Sequence, residues 1–177
     1  VTPRVTHAKP TDVIELADVA AKTFPLACPA ATTADNIAAF IAANLSAECF
    51  AGYLADPDRA VYVAREDGPI LGYAMLIRGV PDDPDVTRAV TSAPAIELSK
   101  IYVLPESHGG AVSAALIDAA LSYARARRAR CLWLGVNQEN QRAQRFYTKH
   151  GFTVSGTKTF RLGAGVEHDY VMVRRLS

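Results

Sequence analysis

Two hydrophobic rhythms follow one another along this chain. Val5 to His7 suits a short strand. Thr11 or Asp12 then caps a helix whose apolar positions Val13, Leu16, Val19 and Ala20 recur at helical spacing. Phe24-Pro25 is expected to end that helix, because the residue before proline avoids the helical region. Thr33 to Leu45 reads as a second amphipathic helix, with Ile37, Phe40, Ile41 and Leu45 on one side. A third runs from Ala47 to Leu54, and Asp56-Pro57-Asp58 breaks it. The rhythm then shortens. Val61 to Arg65 and Leu71 to Ile77 read as two strands turning at Asp67-Gly68, a strong hairpin signal. Residues 79 to 94, with Pro81, Pro84, Pro94 and three aspartates, read as a loop.

Ile96 to Val103 is expected to be a strand, and a helix follows from about Gly110 to Ala126. Its predicted apolar stripe is Val112, Ala115, Leu116, Ala119 and Tyr123, with Asp118, Ser122 and Arg125 towards water. Cys131 to Val136 is a compact apolar strand. Asn140 caps a helix that stops at Gly151, and Phe152 to Phe160 and Tyr170 to Arg174 close the chain as strands. This order predicts an α/β (α+β) fold: a single mixed, largely antiparallel sheet flanked by helices on both faces. A ligand crevice is expected at the carboxyl ends of neighbouring strands.

Composition narrows the function classes. A chain of 177 residues suits one domain with a self-sufficient core. It divides into a strand and acceptor-side helices (1–58), a hairpin and central core (61–136), and a last helix with terminal strands (137–177). Nineteen Lys and Arg against eighteen Asp and Glu give no electrostatic case for nucleic acid. Arg125, Arg127, Arg128 and Arg130 form the one basic cluster, placed to complement a helix C-terminus. Three cysteines without CxxC spacing and four dispersed histidines predict neither a disulfide framework nor a metal site. With no apolar run near the length of a span and a polar start, the expectation is a cytoplasmic protein without a membrane partner.

The chemistry concentrates in two segments. ELSKIYVLPESHGGAVSAAL (Glu97 to Leu116) reads as strand, glycine-containing turn and helix start, and NQENQRAQRFYTKHGF (Asn137 to Phe152) follows it. A turn that leads into a helix presents unpaired N–H groups and a favourable dipole to a phosphate. Small residues let the backbone approach, which His108, Gly109, Gly110, Ala111, Val112 and Ser113 largely provide. In order, spacing and context the two segments resemble the GNAT N-acetyltransferase superfamily, over about residues 61 to 175. CLWLGVNQENQRAQRFYTKHGF, GTKTF and the closing DYVM look closest to PaiA-like polyamine acetyltransferases.

That resemblance implies acetyl-CoA as cosubstrate. The superfamily's phosphate frame falls on His108, Ala111 and Ser113, and all three depart from its pattern. The match N-x-x-A-x-x-F-Y-x-x-x-G-F beginning at Asn140 is better kept. By resemblance, main-chain groups of Ile101, Tyr102 and Val103 pair with the pantetheine arm; the apolar parity, shifting from Ile96 and Leu98 to Ile101 and Val103, fits either a bulge around Ser99–Lys100 or a strand buried on both faces. Asn137 meets the arm from the opposite strand, and Asn140 does so or only caps its helix. Glu97 is placed as the base, with a solvated strand end as the other reading. Tyr147 is placed as the acid that protonates the thiolate, with Phe146 packed inward beside it. Arg142 either reaches the cofactor phosphates or is a plain surface arginine.

The expected reaction is direct attack by a primary amine in a ternary complex, since Cys131, inside an apolar strand, makes a poor nucleophile. A polyamine acceptor would be drawn by Glu48, Asp56, Asp58, Asp82, Asp83 and Asp85. Aminoglycosides, amino acids, peptide N-termini and protein lysines stay open, as does a homodimer. A rival class is an acyl-CoA-sensing or inactive GNAT-like regulator, suggested by the altered phosphate frame. A nucleotide-binding or redox α/β domain would want an early G-x-G-x-x-G or a reactive cysteine, and the chain has neither.

Overall fold

A computed structural model describes residues 2–176. Strands β1 (Arg4–His7), β2 (Arg59–Arg65), β3 (Ile70–Arg78), β4 (Ala95–Val103), β5 (Cys131–Asn137), β6 (Thr153–Leu162) and β7 (Gly165–Arg175) join in one sheet. Their spatial order is β1-β2-β3-β4-β5-β7-β6, and every pairing is antiparallel except β4 with β5. The mixed, largely antiparallel sheet anticipated from the pattern is therefore present.

Helices α1 (Val13–Ala27), α2 (Ala34–Asn44) and α3 (Ala47–Ala55) precede the second strand. They bury Leu16, Val19, Phe24, Phe40 and Phe50 against Val61, Val63, Tyr73 and Met75 on one face of the sheet. Helix α5 (Ala111–Ala126) covers the other face, setting Val112, Leu116, Ile117 and Ala120 on Ala74, Leu76, Leu98, Leu132 and Leu134. Each large side chain buried this way contributes about 1.5–3 kcal/mol. Helix α6 (Gln141–Lys149) follows β5, and Gly151 leaves it at φ +88°.

Three expectations need correction. Helix α1 does not stop at Phe24 but carries Pro25 inside its last turn. Phe24 stacks on Phe40 with ring centroids 4.5 Å apart, and the carbonyl that loses its partner to the proline belongs to exposed Ala21. Water meets that cost. Second, the stretch read as a loop contains helix α4 (Pro84–Ala89), started by Asp83, whose side chain accepts from Asp85 N, with Pro84 at the first helical position. Its Val86 and Ala89 are buried with Trp133 and Val171. Third, the buried stripe of α5 is rotated towards Ile117, Ala120 and Ala124, leaving Ala115 and Ala119 half-buried.

The sheet opens at its centre. Strands β4 and β5 pair only through Ala95–Cys131, Ile96–Leu132 and Glu97–Trp133. Beyond those pairs the ladder stops, and the strands bound a cleft. On the other edge of β4 the register with β3 slips, because Met75 opposes Lys100 while Leu76 opposes Leu98. Ser99 is the extra residue of a bulge, where the loss of alternation suggested one. The bulge lets Glu97 and Lys100, three residues apart, face the same side of the sheet, the side of α1 and α2.

Candidate active site

The cleft continues into a cavity of about 610 Å³ that spans both faces of the parted strands. At one end, Gly109 takes φ +75°, which a side chain would strain. Gly110 then begins α5 without a side-chain cap. The first N–H groups of the helix are thus left for a ligand. His108, Gly109 and Ser113 line the cavity, whereas Gly110, Ala111 and Val112 do not. Val112 sends its side chain into the core, so it can offer that end of the cavity only its main-chain N–H.

His108 does not point a donor at that phosphate site. Its Nε2–H donates to Val103 O at 2.8 Å, and Arg142 donates to its Nδ1. The ring braces the loop against the strand, and the exposed guanidinium of Arg142 supplies the long cationic arm. Arg142 is exposed and also borders the cavity.

Along the walls, the alternation of hydrogen bonds decides which main-chain groups are free. Leu104 N donates to Leu71 O at 2.9 Å, so Tyr102 turns its main chain to β3 while Ile101 and Val103 turn theirs into the cleft. Tyr102 was expected to offer its backbone. It offers its ring, edge-on to Phe24 with centroids 6.3 Å apart. Across the cleft, Gln138 N bonded to His168 O places Gly135 and Asn137 on the open side. The Asn137 carbonyl already accepts from Asn140 N and Gln144 Nε2, and its side chain is held by Glu139 N and Glu167. Asn140 caps α6, its Oδ1 accepting from Ala143 N at 3.2 Å. Both asparagines line the cavity while making these bonds.

Glu97 and Tyr147 line the same cavity. Burial pushes the Glu97 carboxyl above its usual range, against the pull of Lys158, Lys100 and Arg59. Burial also pushes the Tyr147 hydroxyl well up, which keeps it protonated at neutral pH. Phe146 was expected to pack inward and leave the cleft to Tyr147. Instead both rings line the cavity, with centroids 5.5 Å apart.

Four charged residues that line the cavity, Lys100, Lys158, Glu167 and Asp169, were not singled out as site residues in the sequence. Lys100, beyond the bulge, has an ammonium that burial lowers to about 8, with Glu97 opposing the shift. Lys158 on β6 and Asp169 on β7 form an ion pair at 3.4 Å, with side chains only 14% and 8% exposed. Burial raises the Asp169 carboxyl although Lys158 resists. Gly135 makes room for the pair, since a Cβ there would come within 2.5 Å of Lys158 Cε. Among the described residues no group of three or more His, Cys, Asp or Glu is placed to hold a metal, and no single helix is long and apolar enough to cross a membrane.

Comparison with known proteins agrees with this architecture. The model of the acetyltransferase (GNAT) family matches residues 20–152. An uncharacterised N-acetyltransferase of Mycobacterium tuberculosis is 58% identical over 166 residues, covering 94% of this chain and 99% of that one. An uncharacterised N-acetyltransferase of Lactobacillus delbrueckii is 22% identical, covering 98% and 97%. Among solved structures, the PaiA N-acetyltransferase of Thermoplasma acidophilum in complex with coenzyme A superposes with a TM-score of 0.78 at 17% identity, over 99% of this chain and 100% of that one. A GCN5-related N-acetyltransferase of Rhodopseudomonas palustris gives 0.76 at 22%, over 99% and 97%. A mixed sheet parted at its middle strands, the matching family model and a relative of high identity over nearly the whole chain together make this protein a member of the GNAT family of acetyltransferases.

Proposed function

We propose that the protein moves the acetyl group of acetyl-CoA to a primary amine by direct attack within a ternary complex. The observation that carries this reading is the parting of β4 from β5, which puts the Glu97 carboxyl and the Tyr147 ring in one cavity beside an uncapped helix start. Coenzyme A bound to the T. acidophilum neighbour supports the choice of donor. The pyrophosphate would sit on the free N–H groups at the start of α5, with Arg142 alongside. The pantetheine arm would pair with the main chain of Ile101 and Val103, with Asn137 and Asn140 bordering its path.

Glu97 takes the proton from the acceptor ammonium, and its raised pKa brings it nearer the operating pH, where a base is most effective. The freed amine attacks the thioester carbonyl; the C–N bond forms, the C–S bond breaks, Tyr147 gives its proton to the leaving thiolate, and the second proton that the nitrogen sheds on becoming an amide restores the Tyr147 hydroxyl. A thiol does lie in the cavity, that of Cys28, but burial pushes it to about 11 and it donates to Phe24 O at 3.4 Å. A thiol so protonated is a poor nucleophile, which favours direct transfer over an acyl-enzyme. Acetyl-CoA as donor also suits a cytoplasmic setting.

The polyamine reading rests on the T. acidophilum neighbour and on sequence likeness. None of Glu48, Asp56, Asp58, Asp82, Asp83 and Asp85 lines the cavity, so the surface acids expected to draw a polycation stand away from the reacting groups. The test is acetyl-CoA titration by calorimetry, followed by thiol release against a panel of amines that includes spermidine. Amine-dependent release is the expected result. Tight binding without release for any amine would favour an acyl-CoA-sensing regulator instead.

A further inference from the structure

The charges of the acceptor end do not balance in pairs. Five charged side chains on the α1–α2 side of the sheet line the cavity there: Glu97, Lys100, Lys158, Glu167 and Asp169. Lys158 and Asp169 neutralise one another at 3.4 Å. Among the described residues, neither Glu97 nor Lys100 has an ion-pair partner. Glu167 has none either and instead accepts from Asn137 Nδ2 at 3.3 Å, so two carboxylates and one ammonium are left over, Glu97 and Lys100 being brought to the same face by the bulge at Ser99. Among the described residues no carboxylate stands within ion-pair distance of the Lys100 ammonium, which lies 5.7 Å from the centroid of Phe40 and feels Glu97 and Arg59 only from further off. A buried charge without a counter-charge is costly, and a bound ligand that supplies one recovers that cost.

We propose that the acceptor carries an anionic group, a carboxylate in the simplest case, on the same small molecule as its amine. The amine meets Glu97, and the carboxylate meets Lys100. An amino acid, or a peptide short enough to bring both ends into the cavity, fits this complement, with its apolar part among Phe24, Phe40 and Phe160. A polycation leaves Lys100 without a counter-charge, its second ammonium having Glu167 alone to meet. The lowered pKa of Lys100 agrees with a cation that lacks its partner until the ligand arrives. This inference rests on the acetyltransferase reading, and its test keeps the two apart.

Free L-amino acids are compared with their carboxamides, and with spermidine, by thiol release and by calorimetric binding to the protein saturated with coenzyme A. The carboxamides have the less basic amine and so the larger reactive fraction at neutral pH. A preference for the free acid would thus run against intrinsic reactivity. The expected result is a preference of about tenfold or more in kcat/KM, carried mainly by KM. It should vanish in Lys100→Met and partly survive in Lys100→Arg, with circular dichroism confirming that both variants fold. If nothing is acetylated but the free acids still bind better than the amides, and do so only with Lys100 present, the inference stands and the transfer reading falls. Equal handling of acids and amides, or preference for spermidine, overturns it; so does binding by neither.

Discussion

The two ends of the cleft are built from different materials. The phosphate end is main chain: a glycine at positive φ, an uncapped helix start and a histidine used as a brace. The end proposed for the acceptor is side chain: Glu97, Lys100, Lys158, Glu167 and Asp169, buried or half-buried in the sheet. Backbone donors tolerate many residue types, so this end keeps its shape although His108, Ala111 and Ser113 all depart from the family frame. Buried charges tolerate few. Affinity for a cofactor shared across a family can reside in the forgiving end, and choice of substrate in the strict one.

The largest expected effect falls on the strict end. Glu97→Gln should lower kcat by about 1000-fold while leaving acetyl-CoA affinity within about twofold, as measured by steady-state kinetics and calorimetry. The parent's rate should fall as pH drops through the raised Glu97 pKa, at a higher pH than an ordinary glutamate would give, and the variant should lose that limb. Tyr147→Phe should cost about 100-fold in kcat, again with little change in acetyl-CoA affinity. Equal losses in both would make the tyrosine structural.

Lys100→Met separates stability from function. Removing an unpaired buried charge should raise the unfolding free energy by roughly 2 kcal/mol in denaturant titration. The gap in stability between parent and variant should close from pH 8 towards 10.5, because the parent's unfolded chain still holds a proton that folded Lys100 has released, while all other titrating groups are common to both. The smallest change belongs to the forgiving end. Arg142→Ala should weaken acetyl-CoA binding about fivefold, on the scale of an exposed ionic contact, with kcat nearly unchanged. A loss of 100-fold there would undo the contrast between the two ends.

Much of the scaffold was legible because its elements announce themselves locally. Thr33, Ser46 and Asn140 cap their helices, the Asp67-Gly68 turn closes its hairpin, and the shift from Leu98 to Ile101 marks the bulge. Helix α4 was hidden by its own prolines and aspartates, although Asp83-Pro84 is a good helix start. Of the site, Glu97 and Tyr147 were found through resemblance. Lys100, Lys158, Glu167 and Asp169 were not, because a charged residue in a strand reads as a solvent-facing position. Only the β6–β7 register, with Lys158 opposite Asp169, brings those two together over Gly135.

The bulge also makes an economical genetic experiment available. Ser99 is surplus to the ladder with β3, so deleting its single codon would let the strand run in plain alternation with Glu97 and Lys100 still on their shared face. The hydrophobic assignments on either side would be preserved, and the chain should fold. What would disappear is the break in regularity on the strand that borders the proposed thioester site. A one-codon deletion that leaves the fold standing and silences the reaction would show that this irregularity is itself part of the chemistry.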